Sequence, residues 1–187
     1  MGVESGSQKI LNAMDKGLRV SDVVTARSRL GDENIRACYF LQFGYPGETW
    51  EDIQQTIDLV RNTRPDDIGI SFSYPLPGTV FYDRVQAQIG AKRNWTDSDD
   101  LCVMFRATYK DEFYKTLRNA LHAEVNSWSS GDSSATVDAT SLWHQVFELE
   151  PKTRNAEATT LGRSISEETG TNNLVPLHAL AAAGGRI

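Results

Sequence analysis

Residues 35–49 constrain the fold of this chain more than any other stretch. Residues 35–43 read Ile-Arg-Ala-Cys-Tyr-Phe-Leu-Gln-Phe, a run of aromatic and branched side chains without a turn signal. The sequence Gly-Tyr-Pro-Gly then interrupts it at residues 44–47, and a polar helix start follows. A near-continuous apolar strand is typical of a parallel sheet covered on both faces, and in such sheets ligands bind at the carboxyl ends of the strands. We therefore predict a buried strand, a tight loop and a helix, with the loop at the ligand-binding edge of the sheet.

The neighbouring segments predict further units of the same kind. After the first strand we expect a helix, a strand, a Gly/Pro loop and another helix, over residues 48–64, 68–74, 75–79 and 80–89. Before it we expect two helices over residues 8–16 and 21–30, ended by Gly17 and Gly31. Strands that alternate with helices indicate βαβ crossovers and a parallel sheet. The predicted class is therefore α/β.

The later part of the chain has a different character. A helix is predicted over residues 109–128, a flexible Ser/Gly/Ala-rich linker over 127–140, and one more helix over 142–149 that stops before Pro151. The remaining residues are polar and almost free of aromatic side chains, which is typical of loosely structured sequence. The predicted divisions are an α/β part, a helical extension, and a linker with a weakly structured tail, over residues 1–93, 94–128 and 129–187.

Composition narrows the class of partner and the cellular compartment. The 187 residues carry a formal net charge of −6. General nucleic-acid binders are basic, so no nucleic acid is expected as a partner. Cys38 and Cys102 have neither disulfide-framework nor metal-site spacing and are expected to be buried thiols in a reducing compartment. No apolar run approaches the roughly 20 residues that a membrane span requires. The expected location is the cytoplasm.

Three motifs together resemble a known pattern. They are Gly-Val-Glu-Ser-Gly-Ser at residues 2–7 with Lys-Gly at 16–17, Phe-Gly-Tyr-Pro-Gly-Glu-Thr at 43–49, and Tyr-Pro-Leu-Pro-Gly-Thr at 74–79. Their order and spacing resemble the second half of the radical S-adenosylmethionine (radical SAM) barrel, over roughly the first 105 residues. The likeness is greatest to the subgroup that usually carries a cobalamin-binding domain, including the anaerobic magnesium-protoporphyrin cyclase type. The resemblance implies half of a partial, TIM-like (β/α)6 barrel.

This resemblance also implies which residues contact SAM. Glu4 is implied to accept hydrogen bonds from the ribose hydroxyls, which a carboxylate does with both oxygens. Lys16 matches the basic position that faces the SAM carboxylate. Residues 44–47 are implied to wrap the adenine, because glycine lets a backbone approach a flat ring closely. The full implied set of cofactor-binding residues is Glu4, Ser5, Lys16, Gln42, Gly44, Pro46, Gly47, Tyr74 and Pro75. It contains no catalytic residue and no metal ligand.

The chain departs from the family in its cysteines. In the family, three closely spaced cysteines hold the [4Fe–4S] cluster that cleaves SAM reductively to a 5′-deoxyadenosyl radical, and this sequence has only two cysteines, far apart. The resemblance therefore implies a fragment whose parent uses SAM, the cluster and, by subgroup, cobalamin on a small organic substrate. The isolated chain is expected to be inactive. Its expected partner is the missing N-terminal half of the barrel.

Other interpretations of the same residues stay open. Glu4 also fits a loop acid near a helix N-terminus, Lys16 a cation in the last turn of a helix, and the Gly/Pro loops ordinary turns. An alternative function is a non-catalytic α/β module that docks on a partner supplying further strands. An ordinary α/β enzyme or phosphate binder ranks last, because the sequence has no Gly-x-Gly-x-x-Gly or P-loop spacing.

Overall fold

The structure is a computed structural model that describes residues 1–89, 103–130 and 133–155. Three strands form in these residues: β1, β2 and β3, over Gly2–Glu4, Cys38–Phe43 and Asp67–Phe72. Six α-helices accompany them: α1 to α6, over Gln8–Ala13, Val20–Asp32, Trp50–Thr63, Val80–Val85, Asp111–Ser130 and Ser133–Thr153. A 3-10 turn, Gln86–Gln88, continues α4.

The strands form one parallel sheet in the order β1-β2-β3. The central strand β2 pairs with β3 in continuous register, from Cys38 opposite Asp67 to Phe43 opposite Phe72. On its other side β2 pairs with β1, which places Glu4 opposite Leu41. The predicted α/β class with parallel strands is therefore confirmed. The predicted strand at residues 35–43 is also confirmed, although it begins only at Cys38.

The prediction that β2 is covered on both faces is wrong for the described residues. Tyr39, Leu41 and Phe43 are buried and belong to one core with apolar side chains of α2, α3 and α5. Phe40, which points to the opposite face, is 59% exposed. Successive side chains of a strand point to opposite faces, so a helical layer on one side buries alternate residues. The apolar run in the sequence conceals this alternation because Phe40 is itself aromatic.

Most helices begin where the sequence predicts, and their ends differ. Helix α3 is capped by Thr49 and ends before Pro65, as predicted. Helix α1 ends at Ala13 rather than at residue 16, since Asp15 has a left-handed backbone with φ 54°. Helix α2 passes through Gly31, and the left-handed residue that follows it is Asn34. Asparagine tolerates that conformation better than most residues, so glycine was not required.

The linker predicted over residues 127–140 is replaced in large part by helix α6. Ala139, Trp143 and Val146 are buried, and α6 packs along α5. This burial outweighs the weak helix propensity of the local sequence. The predicted stop before Pro151 is wrong: the helix continues through Pro151, which cannot donate to the carbonyl oxygen of Phe147, and ends two residues later at Thr153.

Several predictions fall outside the described residues or remain untested. Cys102 and the tail from residue 156 lie outside the described part of the chain. Cys38 is a free thiol that is partly buried rather than fully buried. The three predicted domain boundaries stay predictions. Among the described helices, none has the length and apolar character that crossing a membrane requires.

Replacing Gly6 by alanine tests the contact between the β1 corner and α3. A Cβ atom on Gly6 would lie 2.4 Å from the carbonyl oxygen of Gln55 and 2.6 Å from Cα of Thr56, both backbone atoms. We expect Gly6→Ala to lower the free energy of unfolding by about 1–3 kcal/mol, measured by urea unfolding followed by circular dichroism.

Gly31→Ala is the matched control for that substitution. Its Cβ would meet only the mobile end of Arg27, at 3.2 Å, within helix α2. We expect it to be neutral or to stabilise the protein by up to about 1 kcal/mol, because alanine is the better helix former. Equal urea midpoints for the two variants would contradict the proposed close packing at Gly6.

Candidate functional site

The carboxyl ends of the three strands lie along one edge of the sheet. Ser73 N, directly after β3, donates to the carbonyl oxygen of Phe43 at 2.8 Å, so the β2 and β3 corners are adjacent. The pairing of Glu4 with Leu41 brings the β1 corner to the same edge. All three predicted motifs therefore begin at this edge, which is where open parallel sheets bind ligands.

Glu4 and Lys16 form an ion pair at this edge. Lys16 Nζ donates to Glu4 Oε1 at 2.9 Å, and both side chains remain accessible to solvent. The second carboxylate oxygen of Glu4 accepts no hydrogen bond from the described residues. Glu4 has φ 60°, a left-handed backbone that costs a non-glycine residue about 1–2 kcal/mol. Residues held in this conformation cluster at functional sites.

Ser5 lies behind this edge rather than on it. Its side chain is fully buried, and its hydroxyl is 3.2 Å from that of Thr56 on α3 and accepts from the backbone N–H of Ser7 at 3.0 Å. The Ser7 hydroxyl in turn donates to Asp52 Oδ1 at 2.7 Å. These bonds attach the chain that follows Glu4 to the start of α3, so they fix where the Glu4 carboxylate stands.

The loop at residues 44–47 depends on two glycines. Gly44 and Gly47 have φ 79° and 82°, values that side chains rarely adopt. The N–H of Gly44 donates to Glu48 Oε2 at 2.7 Å, and Lys9 Nζ donates to the carbonyl oxygen of Gly47 at 3.2 Å. Pro46 and Gly47 are partly exposed. The loop is thus held from its inner side and presents its tip to solvent.

Glu48 is a prominent polar residue of this corner, and its sequence pattern predicts only a polar helix start. It is completely buried, and this burial raises its pKa to about 8. The hydrogen bond from Gly44 lowers the pKa, and the nearby carboxylate of Asp52 raises it further. Its Oε1 has no partner among the described residues, and neither do the buried hydroxyls of Ser73 and Tyr114. The sequence signal that could have predicted this position is the spacing of four residues between Gly44 and Glu48, which lets the carboxyl group fold back onto the loop.

The remaining predicted residues lie at the same edge with different exposure. Gln42 and Tyr74 are partly buried, whereas Pro75 is fully buried. Gln42 lies two residues after Phe40 on β2, so its side chain points to the same open face of the sheet. The structure therefore brings Glu4 and Lys16 into contact and places the other predicted residues at or beside the strand ends.

Metal-ligating groups are sparse in the part of the chain that the structure describes. No group of three His, Cys, Asp or Glu side chains there is arranged to hold a metal ion. Cys38 stands at the amino end of β2, the end opposite to the candidate site. The described residues thus offer no ligand set for an iron–sulfur cluster.

A large cleft adjoins the loop at residues 44–47. It has a volume of about 690 Å³ and lies between the end of α1, this loop, α4 and residues 105–108. Pro46 and Gly47 line it, but Glu4, Lys16 and Tyr74 do not. The cleft therefore shares the loop at residues 44–47 with the candidate site, and its α1 rim ends at Asp15, next to Lys16.

Comparison with known proteins gives partial matches to one group. The chain is 33% identical over 82 residues to a probable threonylcarbamoyladenosine tRNA methylthiotransferase of Pyrococcus abyssi, covering 42% of this chain and 19% of the relative. It is 32% identical over 96 residues to the tRNA-2-methylthio-N(6)-dimethylallyladenosine synthase of Petrotoga mobilis, covering 48% and 22%. The corresponding synthase of Mycobacteroides abscessus is 38% identical over 84 residues, covering 42% and 16%.

These relatives are tRNA methylthiotransferases, members of the radical SAM superfamily. The chain spans about a fifth of their length. No protein family model matches it. The superfamily implied by the sequence motifs therefore agrees with the relatives, whereas the cobalamin subgroup does not appear in their names.

Replacing Glu48 by glutamine tests its buried, uncharged state. The folded protein holds the Glu48 proton up to a pKa of about 8, while the unfolded chain releases it near 4.5, so this group lowers stability as the pH rises between these values. Glutamine cannot ionise and can still accept from Gly44. We expect the stability of Glu48→Gln relative to wild type to increase from pH 5 to pH 8, by up to about 1.4 kcal/mol per pH unit, measured by urea unfolding at each pH.

Glu51→Gln is the control, because Glu51 is exposed on the same helix. It should leave the pH profile of stability close to that of wild type. A pH-independent difference between Glu48→Gln and wild type would contradict the assignment of a neutral Glu48 in the folded protein.

Proposed function

We propose that this chain supplies the SAM-binding edge of a radical SAM enzyme, as the later strands of its partial barrel. The observation that carries the proposal is the Glu4–Lys16 pair at 2.9 Å, at the same sheet edge as the loop at residues 44–47. The relatives named above support the superfamily. In this proposal Glu4 and Lys16 bind the ribose and the carboxylate of SAM, and residues 44–47 with Tyr74 and Pro75 surround the adenine.

The residues present fit SAM in their donors and acceptors. The oxygen of Glu4 that is not bonded to Lys16 is available to a ribose hydroxyl. An ammonium has three N–H donors, so Lys16 can hold Glu4 and a ligand carboxylate at once. Gly47, at the partly exposed tip of the loop, has a left-handed backbone and carries no side chain that would stand between it and a flat ring. SAM supplies, when bound, the sulfonium group that radical SAM enzymes cleave.

The iron–sulfur cluster does not fit the described residues, so we assign this chain no step that requires it. In the proposal, the cluster cysteines and the earlier strands belong to the rest of the parent protein. Cobalamin rests on the motif resemblance alone and receives no support from the relatives, which are named as methylthiotransferases. The bound group that this chain's own residues support is SAM.

The substrate of the parent protein is a separate question from its cosubstrate. The names of the relatives specify tRNA, and the matches cover less than half of this chain. The net charge of −6 gives this chain no general affinity for a polyanion. We therefore extend SAM binding from the superfamily to this chain and leave a tRNA substrate with the relatives.

A second candidate function is a non-catalytic docking module. Phe40 is 59% exposed on the open face of the sheet, and among the described residues β1 and β3 each pair with a neighbour on one side only. Unpaired strand edges are templates for further strands. Both candidates need additional strands, but only the first requires a SAM pocket that contains Glu4.

Isothermal titration of the full chain with SAM separates the two candidates. We expect the chain to bind SAM, and Glu4→Ala to weaken binding by roughly tenfold or more, because a charged acceptor of ribose hydroxyls is lost. Glu33→Ala removes an exposed carboxylate after α2, near the opposite end of the sheet, and should leave the affinity unchanged.

Lys16→Ala tests whether Lys16 binds the carboxylate of SAM. It should weaken binding of SAM more than binding of 5′-methylthioadenosine, which lacks the amino-acid part. If the wild-type chain binds neither compound, or if Glu4→Ala and Glu33→Ala bind SAM equally well, the proposed edge is wrong and the docking module is favoured.

A further inference from the structure

A groove between α3 and α6 lies on the helical side of the molecule and is separate from the proposed SAM edge. Its volume is about 270 Å³, which lies below the range of about 300–1,000 Å³ usual for small-molecule sites. The groove therefore has room for a side chain rather than for a cofactor. One wall is polar and belongs to α3, and the other is aromatic and belongs mainly to α6.

The aromatic wall consists of Trp50, Trp143 and Phe147. The Phe147 ring lies 6.0 Å from that of Trp50 at 85° and 6.2 Å from that of Trp143. Phe147 is nevertheless 54% exposed. Large aromatic side chains in such a pocket are typical anchors of protein interfaces.

The polar wall carries two carboxylates that are free to bind a cation. Glu51 and Asp58 are both exposed and stand seven residues apart on α3, so they share one face at a separation of about 10 Å along the axis. Neither forms an ion pair with another described residue, although Asp58 adds, after Glu124, to the raised pKa of the neighbouring Arg61. The chain as a whole is acidic, which favours a basic partner.

Arg61 shows how this groove accommodates a guanidinium. Its Cζ lies 4.8 Å from the ring centroid of Trp143, and its nitrogens donate to both carboxylate oxygens of Glu124 at 2.8 and 2.9 Å. Toward solvent the groove presents the exposed ring of Phe147 and the exposed carboxylates of Glu51 and Asp58. A planar guanidinium suits such a site better than an ammonium, because it stacks on aromatic rings and donates in a fork.

We propose that this groove is a docking site for a basic segment of a partner protein, whose arginine side chains stack on the exposed ring of Phe147 and donate to Glu51 and Asp58. The proposal commits to a basic partner because the two carboxylates are exposed and form no ion pair with the other described residues, whereas a purely apolar partner would leave them without counter-charges. It is independent of SAM binding, since none of the groove residues belongs to the proposed SAM edge.

A short peptide titration on the full chain tests this site. The probe is an acetylated, amidated pentapeptide of sequence Gly-Arg-Gly-Arg-Gly, and the control peptide replaces arginine by citrulline, which has nearly the same shape and no charge. We expect the arginine peptide to shift the indole N–H resonances of Trp50 and Trp143 in a saturable manner. The citrulline peptide should leave them in place.

Variants with matched charge changes separate the groove from general electrostatics. Glu51→Gln with Asp58→Asn should weaken binding of the arginine peptide roughly tenfold, because charge-assisted hydrogen bonds are lost. Asp32→Asn with Glu33→Gln makes the same charge change at the end of α2 and should leave the affinity unchanged. Equal binding of both peptides, or equal losses in the two double variants, would overturn the proposal.

One further outcome also decides against it. If sedimentation shows that the chain self-associates without peptide and Phe147→Ser abolishes this, the occupant is a second copy rather than a basic partner. A monomeric wild-type chain that binds the arginine peptide through Glu51 and Asp58 supports the proposal.

Discussion

The candidate site depends most directly on the hydrogen bonds that the Asp52 carboxylate accepts. It accepts hydrogen bonds from the Ser7 hydroxyl at 2.7 Å and from the N–H and hydroxyl of Thr49 at 2.8 Å, and it pairs with Lys9. One buried side chain therefore caps α3 and ties the β1 corner to the β2 corner. A buried carboxylate with this many donors is fully satisfied, so it fixes the relative position of Glu4 and the loop at residues 44–47 without an energetic penalty for unpaired charge.

Glu48, four residues earlier, is a buried carboxyl group with few hydrogen-bond donors around it. It receives one hydrogen bond, from Gly44, and one of its oxygens has no partner among the described residues. Desolvation then outweighs hydrogen bonding, and the neutral form is favoured. The contrast between Asp52 and Glu48 follows from the number of donors around each group rather than from sequence spacing, since both lie in what reads as an acidic helix start.

Local signals explain which parts of this fold could be predicted from the sequence. The strand ends are marked by Gly and Pro, so the edge that carries the motifs was predictable, and Thr49 with Asp52 is an ordinary helix cap. The predicted helix over residues 142–149 lies within α6, but the earlier turns of α6, inside the predicted linker, were not predictable from their weak local propensity, because they are stabilised by burial against α5. The burial of Glu48 depends on Tyr114 and on Thr108, whose hydroxyl donates to the Glu48 carbonyl oxygen from 60 residues away. No short-range pattern contains that contact.

The polar edge and the open face of the sheet differ in how far contacts within this chain complete them. The polar edge is assembled by hydrogen bonds within the chain, from Ser5, Asp52 and Glu48, and needs no outside group to hold its shape. The open face carries Phe40, which lies over Gly69 of β3, where a Cβ atom would come within 3.1 Å of the ring. An aromatic side chain left this exposed gains little from folding until another surface covers it. In the proposed function, cosubstrate binding is therefore a property of this chain's edge and does not depend on what covers Phe40, so binding is the measurement that isolates what these residues do.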